Sequence, residues 1–175
     1  DAAVVCPGEV LLRVETANAV AILLDTAWSM FLNHESLIAT KARRIRSVIG
    51  KDGVAEFGMR RAQGVSAAVQ GARAAFIGGF DSTSDVYSAA LYGMRPVGTM
   101  AHSWVMSFPS EVDAFRAYAE QYEDNLVFLV DTYNTLHKGV PAALQVFQEI
   151  RERRGGAMPS VYGIRLDSGD LAYLS

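Results

Sequence analysis

Four stretches of this chain each run an apolar, strand-like segment straight into a polar cluster: Val54–Arg60 (VAEFGMR), Pro96–Ser103 (PVGTMAHS), Leu126–Asn134 (LVFLVDTYN) and Ser160–Asp170 (SVYGIRLDSGD). Strands buried on both faces of a parallel sheet or βα barrel read as near-continuous apolar runs, and the loops beyond their C-terminal ends carry the chemistry. On that reading Arg60, His102, Asp131, Arg165 and Asp167 come to one rim. Two cations, two carboxylates and an imidazole suit a phosphorylated, metal-bound substrate better than an apolar ligand.

The segments between these runs carry helical spacing. Residues 17 to 49 place Val20, Leu23, Leu24, Ala27 and Phe31 on one stripe and Ile38, Lys41, Ile45 and Val48 on another, and the change of phase near Asn33-His34 predicts two helices or a bend. The basic run Lys41, Arg43, Arg44 and Arg46 reads as a solvated helix face, and Gly50-Lys51-Asp52-Gly53 as a turn. Gln63–Phe76, Thr83–Leu91, Glu111–Tyr122 and Val140–Arg153 are further helices, with Ser82 or Thr83 a candidate cap for the second and Pro109-Ser110 opening the third. The order from Val54 onward is therefore β-α-β-α-β-α-β, an α/β class. Before it, Pro7-Gly8 sits between short apolar runs and predicts a hairpin.

Bulk properties narrow the partners. With 175 residues, 50% of them apolar, the chain can bury one sizeable core, and its net charge of -3 argues against nucleic acid or a membrane surface as a partner. No apolar stretch approaches the roughly 20 residues that span a bilayer. Cys6 is the single cysteine, which excludes an intrachain disulfide and reads as a small buried hydrophobe. A cytoplasmic, reducing compartment is the expectation. The chain opens on DAAVVCPGEV without a methionine, which reads as a fragment of a longer protein.

Each polar cluster has a bland reading beside the chemical one. A lone histidine is more often structural, but His102 shares its rim with Asp131, and an imidazole oriented by a carboxylate is the usual arrangement for a base or nucleophile. His34 and His137 lack such company and read as surface or helix-end residues. In Arg165-Leu166-Asp167-Ser168-Gly169-Asp170, a guanidinium suits phosphate or carboxylate, and carboxylates suit Mg²⁺ already bound to phosphate oxygens. Ser168 and Asp170 read equally well as helix caps. Phe57 with Arg60 could hold a flat anionic heteroaromatic by stacking and a charged hydrogen bond, or Phe57 could be plain core.

The motifs FGMRRAQG, IGGFDSTSDV, GTMAHSWVMSF, LVDTYNT and GIRLDSGDLAYLS, with LLRVETANAVAILLDT and NHESLIATKARRIRS upstream, resemble the nicotinate phosphoribosyltransferase family from end to end. The resemblance implies a type II phosphoribosyltransferase fold, with residues 1–50 the end of an open α/β domain plus connecting helices and residues 51–175 the first part of an irregular α/β barrel. It implies an enzyme of NAD biosynthesis that couples nicotinate with phosphoribosyl pyrophosphate, assisted by Mg²⁺ and by ATP as co-substrate through a phosphohistidine, and that works as a homodimer. It assigns His102 as the phosphorylated residue, Arg60 and Ser103 to the base site, Phe57 to ring stacking, Arg165 to substrate contact, and Asp131 and Asp167 to the Mg²⁺–pyrophosphate site. Ser84 falls where the related nicotinamide enzyme carries an aspartate, and a carboxylate there would repel an acid substrate. A one-residue shift would put Asp85 in that place and favour nicotinamide.

The family's N-terminal tyrosine segment and later glycine-rich phosphate loops have no counterpart in the chain, so the resemblance implies half a site and little turnover unaided. An inactive fragment or interaction module is the rival reading.

Overall fold

The computed structural model describes residues 3–175, and it follows the alternation expected of an α/β chain. The chain divides into two compact units between Gly98 and Thr99. In the first, helix α1 (Asn18–Ile49) is followed by three two-residue parallel strands, β1 (Ala55–Glu56), β2 (Ser82–Thr83) and β3 (Arg95–Pro96), with α2 (Val65–Ile77) and α3 (Val86–Tyr92) as crossovers. Ala55 pairs with Ser82 and Ser82 with Arg95, so the sheet order is β1-β2-β3. In the second, α4 (His102–Met106) and α5 (Glu111–Gln121) precede β4 (Asn125–Leu129), and α6 (Val140–Arg153) crosses to the parallel β5 (Val161–Arg165), which short α7 (Leu171–Leu174) follows. The units fall on either side of residue 98, whereas the sequence reading places a boundary near residue 50.

Residues 18–49 form one uninterrupted helix where two helices or a bend were expected. The segment has neither glycine nor proline, so nothing breaks its hydrogen-bond ladder, and the two apolar stripes are successive faces of one long helix. Its second half packs on α2, where Gly71 and Gly78 allow close approach: a Cβ at Gly78 would lie 2.6 Å from the Ala39 carbonyl oxygen. In its first half the stripe expected to be buried is largely open, with Leu23 79% exposed. Arg46 is not part of a merely solvated face. Its guanidinium donates to the Gly79 carbonyl at 2.6 Å, to the Asp52 carbonyl at 2.7 Å and to the Asp81 carboxylate at 2.5 Å, fastening α1 to the turns before β1 and β2. Asp81 also accepts from the Val54 N–H, and that bond, with the one from Arg46, holds its carboxyl below the ordinary range.

Three further expectations are corrected. Ser82 and Thr83 form a strand and cap nothing; Asp85 caps α3 by accepting from the Tyr87 and Ser88 N–H groups. The Pro7-Gly8 turn forms, closed by the Glu9 N–H on the Cys6 carbonyl, but no strands flank it among the described residues. Cys6 is exposed, because that turn packs on no core.

The second unit holds the larger core. Leu126, Phe128 and Leu129 of β4 are buried under Phe115, Ala143, Val146 and Ile150, and Phe128 stacks between Phe115 and Phe147 with ring centroids 4.7 Å away on each side. Ser110 caps α5 as the sequence predicts. Arg116 and Glu149 join α5 to α6 by two hydrogen bonds of 2.8 and 2.6 Å, and Arg116 holds the Glu149 carboxyl down at about 2. No described helix is long and apolar enough to cross a membrane.

Glu111, at the start of α5, is buried and its Oε1 has no hydrogen-bond partner. Burial raises its pKa, and the charge of Lys138 offsets this only in part. A carboxyl with a raised folded pKa adds stability below its ordinary pKa that is lost as pH rises through the folded value. Glu111→Gln is accordingly expected to stabilise the protein by about 1 kcal/mol at pH 7 and to change little at pH 4. Urea midpoints at the two pH values check this; an equal shift at both would mean that shape rather than charge is at issue.

Candidate active site

Strands β4 and β5 pair in parallel with Leu129 opposite Arg165, and the Val130 N–H donates to the Arg165 carbonyl at 3.3 Å. Residues just beyond the two strands therefore lie side by side, at the carboxyl ends where open α/β sheets bind ligands. Asp131 is the hub. Its Oδ1 lies 3.2 Å from Nε2 of His102, and its Oδ2 accepts from the Asp167 N–H at 2.9 Å and from Ser168 Oγ at 2.6 Å. The Asp131 side chain is 2% exposed, the His102 ring 38%.

Burial pushes the Asp131 pKa upward, but the hydrogen bonds from Ser168, the Asp167 N–H and His102 outweigh it and hold the carboxyl below the ordinary range. The aspartate is therefore ionised at neutral pH. Its contribution to stability is lost as pH falls below the usual aspartate value. An ionised acceptor on Nε2 fixes the imidazole with its Nε2–H toward Asp131, which leaves Nδ1 as the ring nitrogen free to react.

Arg165 completes the cluster. One of its guanidinium nitrogens donates to the Met100 carbonyl at 3.1 Å and another pairs with Asp167 Oδ1. The fork thus ties the loop before His102 to the loop after β5. Of the sequence-predicted residues, the second unit brings together His102, Asp131, Arg165 and Asp167, and Ser103 stands next to His102 as the second, exposed residue of α4.

The first unit carries the others at the ends of its own strands. Phe57 follows β1 and is 41% exposed, so it is not plain core. Arg60 lies in the 3₁₀ turn Met59–Arg61 and is exposed. Half-buried Ser84 follows β2, its N–H donating to the Glu56 carbonyl. Asp85 is 1% exposed, and the Tyr87 N–H, the Ser88 N–H and Ser88 Oγ occupy its carboxylate. His34 bonds the Ala67 carbonyl between α1 and α2, a structural use, and His137 lies in the one-turn π-helix Thr135–Gly139.

Two functional candidates escape sequence reasoning. Ser168, which reads as a cap, turns back to Asp131 instead, while Asp170 does cap α7. Glu56 lies inside an apolar run with no motif of its own; its neighbour Gly58 is the only local hint that a side chain folds back there.

The donor set bears on a metal. Both oxygens of Asp131 are committed to protein donors, and Asp167 Oδ1 to Arg165. Among the described residues no group of three His, Cys, Asp or Glu side chains is placed to hold a metal ion. This arrangement fits orientation of an imidazole and not a protein-built Mg²⁺ site.

Residues 53–174 match the Nicotinate phosphoribosyltransferase (NAPRTase) family. The chain is similar to the nicotinate phosphoribosyltransferase of Bacillus subtilis (strain 168), at 48% identity over 167 residues, which cover 95% of this chain and 33% of that protein. It is 36% identical over 214 aligned residues to the Dictyostelium discoideum nicotinate phosphoribosyltransferase, covering 100% of this chain and 36% of the relative. Among solved structures, human nicotinic acid phosphoribosyltransferase superposes with a TM-score of 0.73 at 30% identity, over 87% of this chain and 39% of that one. The chain thus spans about a third of the length of the curated relatives it matches.

Proposed function

This chain belongs to the nicotinate phosphoribosyltransferase family, and we propose from that premise that it supplies part of the active site of an enzyme joining nicotinate to phosphoribosyl pyrophosphate, with nicotinate mononucleotide and pyrophosphate as products of a step in NAD biosynthesis. The observation that carries this reading is the Asp131 hub, which gathers His102, Ser168 and the Asp167 backbone at the ends of two paired strands.

In the proposed chemistry the pyridine nitrogen attacks the anomeric carbon of the phosphoribosyl group as the bond to pyrophosphate breaks. Pyrophosphate needs its charge met more than it needs a proton, and Arg165, held in place by Met100 and Asp167, is a planar donor suited to phosphate oxygens. Mg²⁺ would arrive on the pyrophosphate as part of the substrate.

ATP would act at His102. Nδ1 attacks the γ-phosphorus, an N–P bond forms, and ADP leaves. Asp131 keeps the proton on Nε2 and compensates the positive imidazolium that develops.

For the base, Arg60 would pair with the nicotinate carboxylate and Phe57 would stack on the ring. Asp85, 1% exposed and used as a cap, is not presented to an amide, which leaves Ser84 at that strand end and favours the acid over nicotinamide. A homodimer in the cytoplasm completes the proposal.

The test is an assay of the full-length protein with nicotinate or nicotinamide, with and without ATP. Arg60→Ala is expected to lower kcat/KM for nicotinate roughly tenfold to a hundredfold, the worth of a charge-assisted hydrogen bond of about 1.5 to 3 kcal/mol, and to affect nicotinamide far less. Arg60→Lys should recover part, because a point charge does not reproduce the planar fork. A uniform loss for both bases would move the carboxylate partner away from Arg60.

A further inference from the structure

Glu56 is the last residue of β1, half-buried, and both of its carboxylate oxygens are in use. Oε1 accepts from the Gly58 N–H, two residues along the loop that carries Phe57 and Arg60. Oε2 accepts from Thr83 Oγ1 at 2.7 Å, and that hydroxyl accepts in turn from the Asp85 N–H at 3.0 Å. The relay runs from the loop after β1 to the loop after β2, with Ser84 between its last two members. In parallel with it, the Ser84 N–H bonds the Glu56 carbonyl at 2.9 Å. Thr83 is fully buried, so the second anchor is fixed by the core.

We propose that Glu56 is a positioning residue for recognition of the pyridine base: its carboxylate clamps the Phe57–Arg60 loop to β2 and so sets the place of Phe57 and Arg60 relative to Ser84. The inference rests on the reading of Phe57 and Arg60 as base-site residues. It assigns Glu56 no contact with substrate, since both oxygens already face protein donors. What it requires is a hydrogen-bonding partner at each end and not charge: a glutamine oxygen would accept from the Gly58 N–H, and its NH₂ would donate to Thr83 Oγ1, whose own hydrogen then loses its acceptor.

Gly58 supplies an independent handle. Its φ of -84° and ψ of -9° are open to any residue, yet a Cβ there would lie 2.7 Å from Glu56 Oε1. Gly58→Ala therefore acts on the clamp by displacing the carboxylate, without backbone strain of its own.

The experiment measures KM for nicotinate and for phosphoribosyl pyrophosphate, with kcat, in the full-length protein. Glu56→Ala and Gly58→Ala are each expected to raise KM for nicotinate about tenfold, since sub-ångström misplacement of binding groups carries costs of this order, and to leave KM for phosphoribosyl pyrophosphate in place. Glu56→Gln should recover most of the nicotinate KM, since the bond that holds Gly58 is kept. In the Glu56→Ala background Gly58→Ala should add nothing further, because the atom it would strike is gone, so the two effects are non-additive. Thr83→Val, which cuts the relay at its buried end, should produce the same change in smaller measure and serves if Glu56→Ala does not fold. The proposal is overturned if both KM values rise together, if the two substitutions simply add, or if Glu56→Gln behaves as Glu56→Ala. Arg60→Ala, run alongside, separates the two levels: a nicotinate KM that responds to Arg60→Ala but not to Glu56→Ala removes the clamp alone, whereas no response to Arg60→Ala removes the base-site reading beneath it.

Discussion

His102→Ala is expected to abolish acid-labile ³²P incorporation from γ-labelled ATP in the full-length protein, and Asp131→Ala to slow it about a hundredfold. The two magnitudes follow from different roles. In the proposed chemistry His102 would carry the nitrogen that bonds phosphorus, so its loss should remove the label altogether. Asp131 acts through its neighbours: it holds the imidazole by Oδ1 and the loop of Asp167 and Ser168 by Oδ2. Losing the orientation of a reacting group by about an ångström costs on the order of 10²-fold. Asp131→Asn distinguishes orientation from charge. Its amide oxygen can accept from only one of the two sides, while its NH₂ meets donors on the other, so partial recovery at best is expected. Equal labelling of wild type and His102→Ala would refute the phosphohistidine, and full labelling of Asp131→Ala would make the hub a structural feature only.

Gly139→Ala is expected to be among the most destabilising single substitutions in the second unit, at about 3 kcal/mol or more. Gly139 ends the π-turn Thr135–Gly139 with a φ of -62°, so no left-handed backbone calls for glycine there. Space does. A Cβ would stand 1.9 Å from the carbonyl oxygen of Val130 and 2.6 Å from its carbonyl carbon, and both belong to buried main chain that cannot rotate away. The methyl would push the backbone immediately before Asp131, so activity and stability should fall together. Helix propensity favours alanine by about 1 kcal/mol and offsets only part of the clash. A chemical-denaturation midpoint within error of wild type would mean that the π-turn opens at little cost.

The expected helices Gln63–Phe76, Glu111–Tyr122 and Val140–Arg153 correspond to α2, α5 and α6, because each is an amphipathic run bounded by glycine, proline or a capping residue, and such signals are local. His102, Asp131, Arg165 and Asp167, read from the ends of apolar runs, come together in the second unit, although β5 is not the buried strand that reading expects: Val161 is 51% and Tyr162 55% exposed. The short strand β2 was not legible, since a two-residue strand has no period to detect and Ser82-Thr83 reads as a cap. Only its neighbours β1 and β3 make it a strand. The exposure of Cys6 and the single sweep of α1 likewise depend on what packs beside them. The sequence by itself determined the longer helices, the family and the residue classes available for chemistry, all of which depend on short-range pattern. Only the tertiary structure decided which donors face which acceptors: that Ser168 serves Asp131, that Asp85 is consumed as a cap, and that Glu56 bridges two loops. Those pairings join residues up to 37 positions apart, and a hydrogen bond between distant residues leaves no periodicity in the chain that makes it.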